Sequence, residues 1–396
     1  MIQNSKIIIH ENYYAKSNYR DFPTAWDDLL TASNRKQYLI LDTPYHLFES
    51  TAEIPFDQER YFRQFGKMFA EYLPAIKRGD IKVVFMFSDF WNTCNQWETP
   101  RTMNGNFMTV DLYNIIYEVV TDLGILEHSI FTTSASVVDV KMHDDWPALY
   151  FNEPFNRYLT NEITHNFSKV PLVTSGFNRK FFWLNRRTRQ HRLYALHQAA
   201  KLGIFENSHY TFHNFNESEL DDYYYTHELY KFSLSNDEID LSFLKYQTTE
   251  NTVDSKYNKS TDIQTNPELT NLKNASDQCQ LELVSEFNCS NNKVFLTEKI
   301  ARSIVLGNPF IVMGDKESLS ELRRYGFKTF SRFWDESYDT FNNVKDRIDT
   351  ALALATSIEF RNDHSQDMIE ILAYNREHYY GNYYQQQTDT FKRITE

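Results

Sequence analysis

Glycine is scarce in this chain, with 10 residues in 396, and proline is as scarce, also at 10. A glycine-rich phosphate loop is therefore not expected, and neither a G-x-G-x-x-G fingerprint nor a Walker lysine motif occurs. The three cysteines, Cys94, Cys279 and Cys289, are too few for a disulfide scaffold and lack metal-ligand spacing, which fits a reduced cytoplasm. No Asp-x-Asp metal motif is present. No apolar run approaches the length of a membrane span, and the opening MIQNSKIIIHENYY lacks the pattern of a signal peptide, so a cytoplasmic chain with no membrane anchor is expected. Basic excess is missing too: 41 Lys and Arg stand against 54 Asp and Glu, a formal charge of −13. Tight non-specific binding to nucleic acid needs a basic surface, so this balance weighs against it. A local exception runs from Arg179 to Lys201, where Lys180, Arg186, Arg187, Arg189 and Arg192 occur with no acidic residue between them.

What the chain does contain is a length sufficient for two cores and a regular alternation of strand-like and helix-like segments. The pattern predicts strands over 6–10, 37–46, 81–89 and 128–136, with helices over 26–30, 56–78 and 107–124, the last closed by Gly124. The run 81–89 is almost wholly apolar, as a strand buried on both faces would be. A second series begins at 180–184, KFFWL, followed by a polar turn and a helix over 192–203. The fold class expected is α/β with parallel sheets.

The most informative stretch is Leu281 to Asp339, which reads as strand, loop, helix, strand, helix, short strand. Its first helix opens near Thr297 and closes at Gly307, with Pro309 just beyond. Ser318 is the expected cap of the second helix and Gly326 its end. At the mouth of the first helix stand Thr297, Glu298 and Lys299. A helix N-terminus offers free N–H groups and a partial positive charge, which suit a phosphate. Lys299 places a full positive charge where the helix dipole disfavours one, and an anion nearby would explain it. Glu298 could accept hydrogen bonds from two hydroxyls, as a ribose presents them. Taken alone, the triplet is first of all a capped amphipathic helix with two solvated charges.

The wider segment, roughly residues 170–350, resembles the donor-binding half of the α1,3-fucosyltransferases and a group of phage-encoded glycosyltransferase-like proteins. In these families a Thr-Glu-Lys triplet opens a helix that ends shortly before a Pro-Phe or Pro-Val strand. The run from Gly326 to Asp339, and the signature Asn185-Arg186-Arg187 with His191-Arg192, are closer to the phage group. The resemblance implies a GT-B architecture of two Rossmann-like domains with an interdomain cleft. The first would span 1–165 and receive the acceptor. The second, 170–370, would hold a nucleotide sugar and carry an insertion at about 205–280, and 371–396 would form a tail packing back on the first. It further implies that Asn185, Arg186, Arg187, Arg192, Glu286, Asn288, Thr297, Glu298 and Lys299 line the donor site, with Arg187, Arg192 and Lys299 on the diphosphate and Glu298 on the ribose. The families' Phe-Glu-Asn becomes Ser285-Glu286-Phe287-Asn288 here, an altered order. Transfer would be inverting, with no metal and no cofactor beyond the donor. A general base is expected at a strand end of the first domain: Asp89 first, then Asp42, His46 and Glu11, each also readable as an ordinary cap or loop residue.

The acceptor is not written in the residues. The phage resemblance points first to 5-hydroxymethylcytosine in DNA as the partner, glucosylated or arabinosylated, with the base extruded from its stack. A glycan- or protein-directed transferase is the second expectation, and a non-catalytic nucleotide-sugar-binding protein the third. Oligomeric state is left open. The tract 247–278, rich in Asn, Thr, Ser and Lys, is expected to be an exposed loop or partly disordered.

Overall fold

The computed structural model describes residues 8–9, 37–42, 70, 72–87, 97–98, 109–110, 112–133, 143–146, 149–150, 155, 166–185, 190–212, 267–287, 289 and 294–395. The chain is mixed α/β with parallel sheets and divides into two compact units, Met1–Glu153 with Gln386–Glu396, and Pro154–Gln385.

In the first unit the strands are β1 (Ile8–Ile9), β2 (Gln37–Asp42), β3 (Ile81–Phe87), β6 (Ser129–Thr133) and β7 (Leu149–Tyr150), all parallel and lying side by side in chain order. β3 is central, with Val83 opposite Leu39 on one side and opposite Ser129 on the other. Between β3 and β6 come a two-stranded antiparallel pair, β4 (Trp97–Glu98) and β5 (Thr109–Val110), and then helix α2 (Leu112–Asp122). Ahead of β3, α1 covers Leu73–Lys77, the described part of the longer helix expected over 56–78. Val83, Val84 and Phe85 are buried with Ile116, Val119 and Val120 of α2, as the apolar run predicts.

The second unit is built on β8 (Arg179–Asn185), β9 (Ser208–Phe212), β10 (Cys279–Ser285) and β11 (Phe310–Met313), again all parallel. Their spatial order is β11-β10-β8-β9. The chain thus leaves β8 to one side for β9 and returns to the other side for β10. Helix α3 (Gln190–Lys201) joins β8 to β9, α4 (Pro267–Asp277) leads into β10, and α5 (Glu298–Leu306) joins β10 to β11. Then follow α6 (Ser318–Arg324), α7 (Val344–Ser357) and α8 (Gln366–His378), and after them α9 (Tyr384–Thr395), which from Gln386 onward is counted with the first unit. A single-turn π-helix at Tyr379–Tyr383 separates the last two.

β10 is buried at every residue although two of its seven are Gln280 and Glu282. Glu282 is tolerated because Arg302 of α5 pairs with it at 2.6 Å and Asn308 donates to it at 3.2 Å. Gly307 ends α5 at φ +80, and a β-carbon there would stand 2.1 Å from Leu172 and 2.9 Å from Arg376, so both conformation and space require glycine.

Three expectations are corrected. The tract 247–278 is not loop to its end, because α4 occupies Pro267–Asp277. Pro267 starts it where a missing N–H costs nothing, and Leu272 and Ala275 pack on the core beneath a polar surface. Ser318 does not cap α6: its hydroxyl donates to the Asp315 carbonyl at 2.7 Å, and the free amides of Leu319 and Ser320 are taken by the Asp339 carboxylate at 3.0 and 3.4 Å. The short strand expected after Gly326 does not form. Side chains take its amides instead: Asn375 accepts from Lys328 N at 2.8 Å, and Glu336 from Phe330 N at 2.7 Å. Of the strand expected at 37–46, Gln37–Asp42 is described; the helix expected at 107–124 covers Leu112–Asp122, with Thr109–Val110 in a strand ahead of it, and the helix expected over 26–30 lies outside the described residues.

Candidate functional site

A parallel sheet offers a crevice where the chain leaves neighbouring strands in opposite directions, beyond their C-terminal ends. In the second unit that point lies between β8 and β10. Leu283 pairs with Trp183, so Asn185 and Ser285 finish their strands level with one another. Side chains alternate faces along each strand. Glu282, bound to Arg302 of α5, and Glu286 belong to one face, while Trp183 donates to the Ser285 hydroxyl at 2.9 Å on the other. Glu286, the residue after β10, sits at this crevice and is wholly buried.

Thr297 is the N-cap of α5, in extended conformation, its hydroxyl accepting from Lys299 N at 3.3 Å. The same hydroxyl accepts from Lys299 Nζ at 3.2 Å and donates to Glu286 Oε2. The Glu286 carboxylate also accepts from Thr297 N at 3.0 Å and from Phe287 N at 3.0 Å. Its backbone carbonyl accepts from Arg192 Nη2 at 2.9 Å, Arg192 Nε at 3.3 Å and His191 Nε2 at 3.1 Å. His191 and Arg192, in the first turn of α3, are both buried. The approach to α5 is fixed by Asp315, also fully buried, which accepts from Phe295 N at 3.0 Å.

Burial raises the Glu286 carboxyl above the usual range, opposed by Lys299 and by the Thr297 hydrogen bonds. Burial lowers the Lys299 amine, opposed by Glu298 and Glu286 and reinforced by Arg192. Lys299 Nζ lies 2.9 Å from Glu298 Oε1, and the two side chains keep 15% and 29% of their exposure. The pair therefore keeps some contact with solvent while Glu286 does not. Asn185 is 3% exposed, and among the described residues neither polar atom of its side chain has a partner.

Five of the residues expected at a donor site are thus joined in one network: Arg192, Glu286, Thr297, Glu298 and Lys299; Asn185 ends the neighbouring strand on the face of Trp183 and Ser285. Their roles differ from the expectation in two respects. Glu286, expected to line the donor, has its carboxylate turned inward onto Thr297 and Phe287 and offers a ligand no surface. Glu298 and Lys299, expected on different parts of a nucleotide, are paired with each other. Arg186, Arg187 and Asn288 lie outside the described residues, as do Glu11, His46 and Asp89. Asp42 ends β2, and its side chain is likewise outside. Asp315 carries no motif signal of its own; His191 belongs to the Asn-Arg-Arg…His-Arg signature, which assigns it no role.

Among the described residues no group of three or more His, Cys, Asp or Glu side chains is arranged to hold a metal ion, and no helix is long and apolar enough to cross a membrane. No protein-family model, no curated protein and no solved structure matches the chain.

Proposed function

We propose that the protein is a glycosyltransferase of GT-B type that draws on a nucleoside diphosphate sugar held at the β8/β10 crevice. The observation that supports this reading is the meeting, at a topological switch point, of a Thr-capped helix mouth with two cations, Lys299 and Arg192. A diphosphate is the ligand chemistry that uses all of these. Negative charge grows on the diphosphate as the bond to the sugar breaks, so cations already in place stabilise the transition state more than the ground state.

In the proposed single displacement an acceptor hydroxyl attacks the anomeric carbon as the bond from that carbon to the diphosphate oxygen breaks. The hydroxyl proton passes to a carboxylate or imidazole of the first unit, for which Asp89, Asp42, His46 and Glu11 are the candidates. The electron pair of the broken bond leaves on the nucleoside diphosphate, neutralised by Lys299, Arg192 and the α5 dipole. The acceptor we propose is 5-hydroxymethylcytosine in DNA.

The test offers duplexes containing 5-hydroxymethylcytosine, and cytosine controls, together with several nucleotide sugars, and weighs the recovered nucleosides by mass spectrometry. A sugar on the hydroxymethylated base alone is the expected result. Transfer to an oligosaccharide or a protein with none to DNA would replace the acceptor. Absence of nucleoside diphosphate release with every donor and acceptor would remove the enzyme reading.

A further inference from the structure

Glu286 bonds to both helix mouths that flank the crevice. Through its carbonyl it holds Arg192 and His191 of α3; through its carboxylate it holds Thr297 at the start of α5. Its own amide donates to Met313 O at 2.9 Å, which ties the junction to the end of β11 as well. A hydroxyl has one hydrogen and two lone pairs. Because Thr297 gives its hydrogen to Glu286, its lone pairs face Lys299 N and Lys299 Nζ, which can only donate. The carboxylate therefore sets the direction of the whole chain of bonds from β10 to the lysine. Each hydrogen bond to that carboxylate comes from a donor, so an amide in its place would turn N–H toward N–H or O–H on one side.

We propose that Glu286 is a positioning residue for diphosphate binding: without touching the ligand, it fixes Arg192 and the Thr297–Lys299 pair at one separation, so that both cations meet the same anionic group. This rests on the donor reading above.

Two effects of Glu286→Gln have opposite signs. Removing a negative charge beside two cations would by Coulomb's law tighten an anion's binding. Losing the fixed geometry would weaken it. Calorimetric titration with UDP, GDP and CDP separates them. With the nucleotide that binds the wild type most tightly, Glu286→Gln is expected to raise Kd at least tenfold, and Thr297→Val by a similar factor. The double variant should be no weaker than the weaker single one, because the two groups act as a unit. Thr297→Ser keeps the hydroxyl and should stay within about twofold of wild type. Thermal unfolding of each variant confirms that a folded protein is titrated, and if Glu286→Gln does not fold, the contrast between Thr297→Ser and Thr297→Val carries the test. Unchanged or tighter binding by Glu286→Gln, losses that add in the double variant, or Thr297→Val indistinguishable from Thr297→Ser would overturn the inference while leaving the donor site standing. No binding by the wild type would remove the donor reading and the inference together.

Discussion

The two parallel sheets of this protein are alike in construction and unlike in strand order. In the first, β1, β2, β3, β6 and β7 lie in chain order, so each connection moves the same way and no reversal opens a crevice among the described strands. In the second, the order β11-β10-β8-β9 places a reversal between β8 and β10. Ligand sites of open α/β sheets lie at such reversals. The buried charges follow the same division: Arg192, Glu282 and Glu286 belong to the second unit, while the described core of β3 and α2 is apolar. A parallel sheet alone therefore says little about function. The strand order, and the charges gathered at one edge, say more.

The second sheet also differs between its own two ends. At the ends where its strands begin, polar groups close on the protein: Lys180 Nζ donates to Thr356 O at 2.9 Å and Gln280 Nε2 to Glu359 O at 3.2 Å. At the ends where its strands finish, the Asn185 side chain has no partner among the described residues and Lys299 is partly exposed. The first end holds the sheet together; at the second, Lys299 and Glu298 keep part of their exposure.

The contrast between the units can be broken by Phe85→Ala. Phe85 is buried in β3 of the first unit, and its removal should cost about 3–5 kcal/mol in urea unfolding. The nucleotide Kd of the folded variant should nevertheless match wild type. A large change in Kd without unfolding would show that the first unit takes part in nucleotide binding.

A somewhat smaller effect is expected at the closed end of the second sheet. Burial holds His364 down at about 4, against its ordinary 6.5, with Asp363 opposing. Between these values the unfolded chain takes up a proton that the folded chain refuses, so the contribution is present above pH 6.5 and is lost as pH falls to 4. The stability difference between wild type and His364→Gln should therefore shrink by up to about 3 kcal/mol from pH 7 to pH 4. Asp339, raised to about 6 by burial, changes in the opposite direction over part of this range, but it does so in both proteins and cancels in the difference. A difference that stays flat with pH would contradict the assignment.

The smallest effect concerns Glu298. Glu298→Gln keeps the shape and removes the charged acceptor, and KM for the donor should rise about fivefold with a lesser fall in kcat. A fall in kcat alone would place Glu298 in the chemical step.

Much of the second unit was legible in the residues. Thr297 and Gly307 bracket α5 as their chemistry requires, KFFWL lies in β8, and the strand expected after α5 is β11. Local signals suffice there because caps and apolar runs act over a few residues. What was not legible acts at a distance. Asp339 caps α6 from twenty residues away, and Asn375 and Glu336 remove the amides of an expected strand. The inward turn of Glu286 depends on Thr297, eleven positions later, and no spacing rule signals it. The helix α4 was hidden because a narrow apolar stripe, Leu272 and Ala275, lies within a polar tract.

The central claim is that the β8/β10 crevice binds a nucleoside diphosphate through Lys299. Titration calorimetry of wild type and Lys299→Ala with UDP, GDP and CDP, in EDTA, tests it most directly. At least one nucleotide should bind the wild type at one site per chain without metal, and Lys299→Ala should weaken it about 10- to 100-fold, the worth of a hydrogen bond to a charged group. No binding of any of the three, or equal binding by both proteins, would contradict the account.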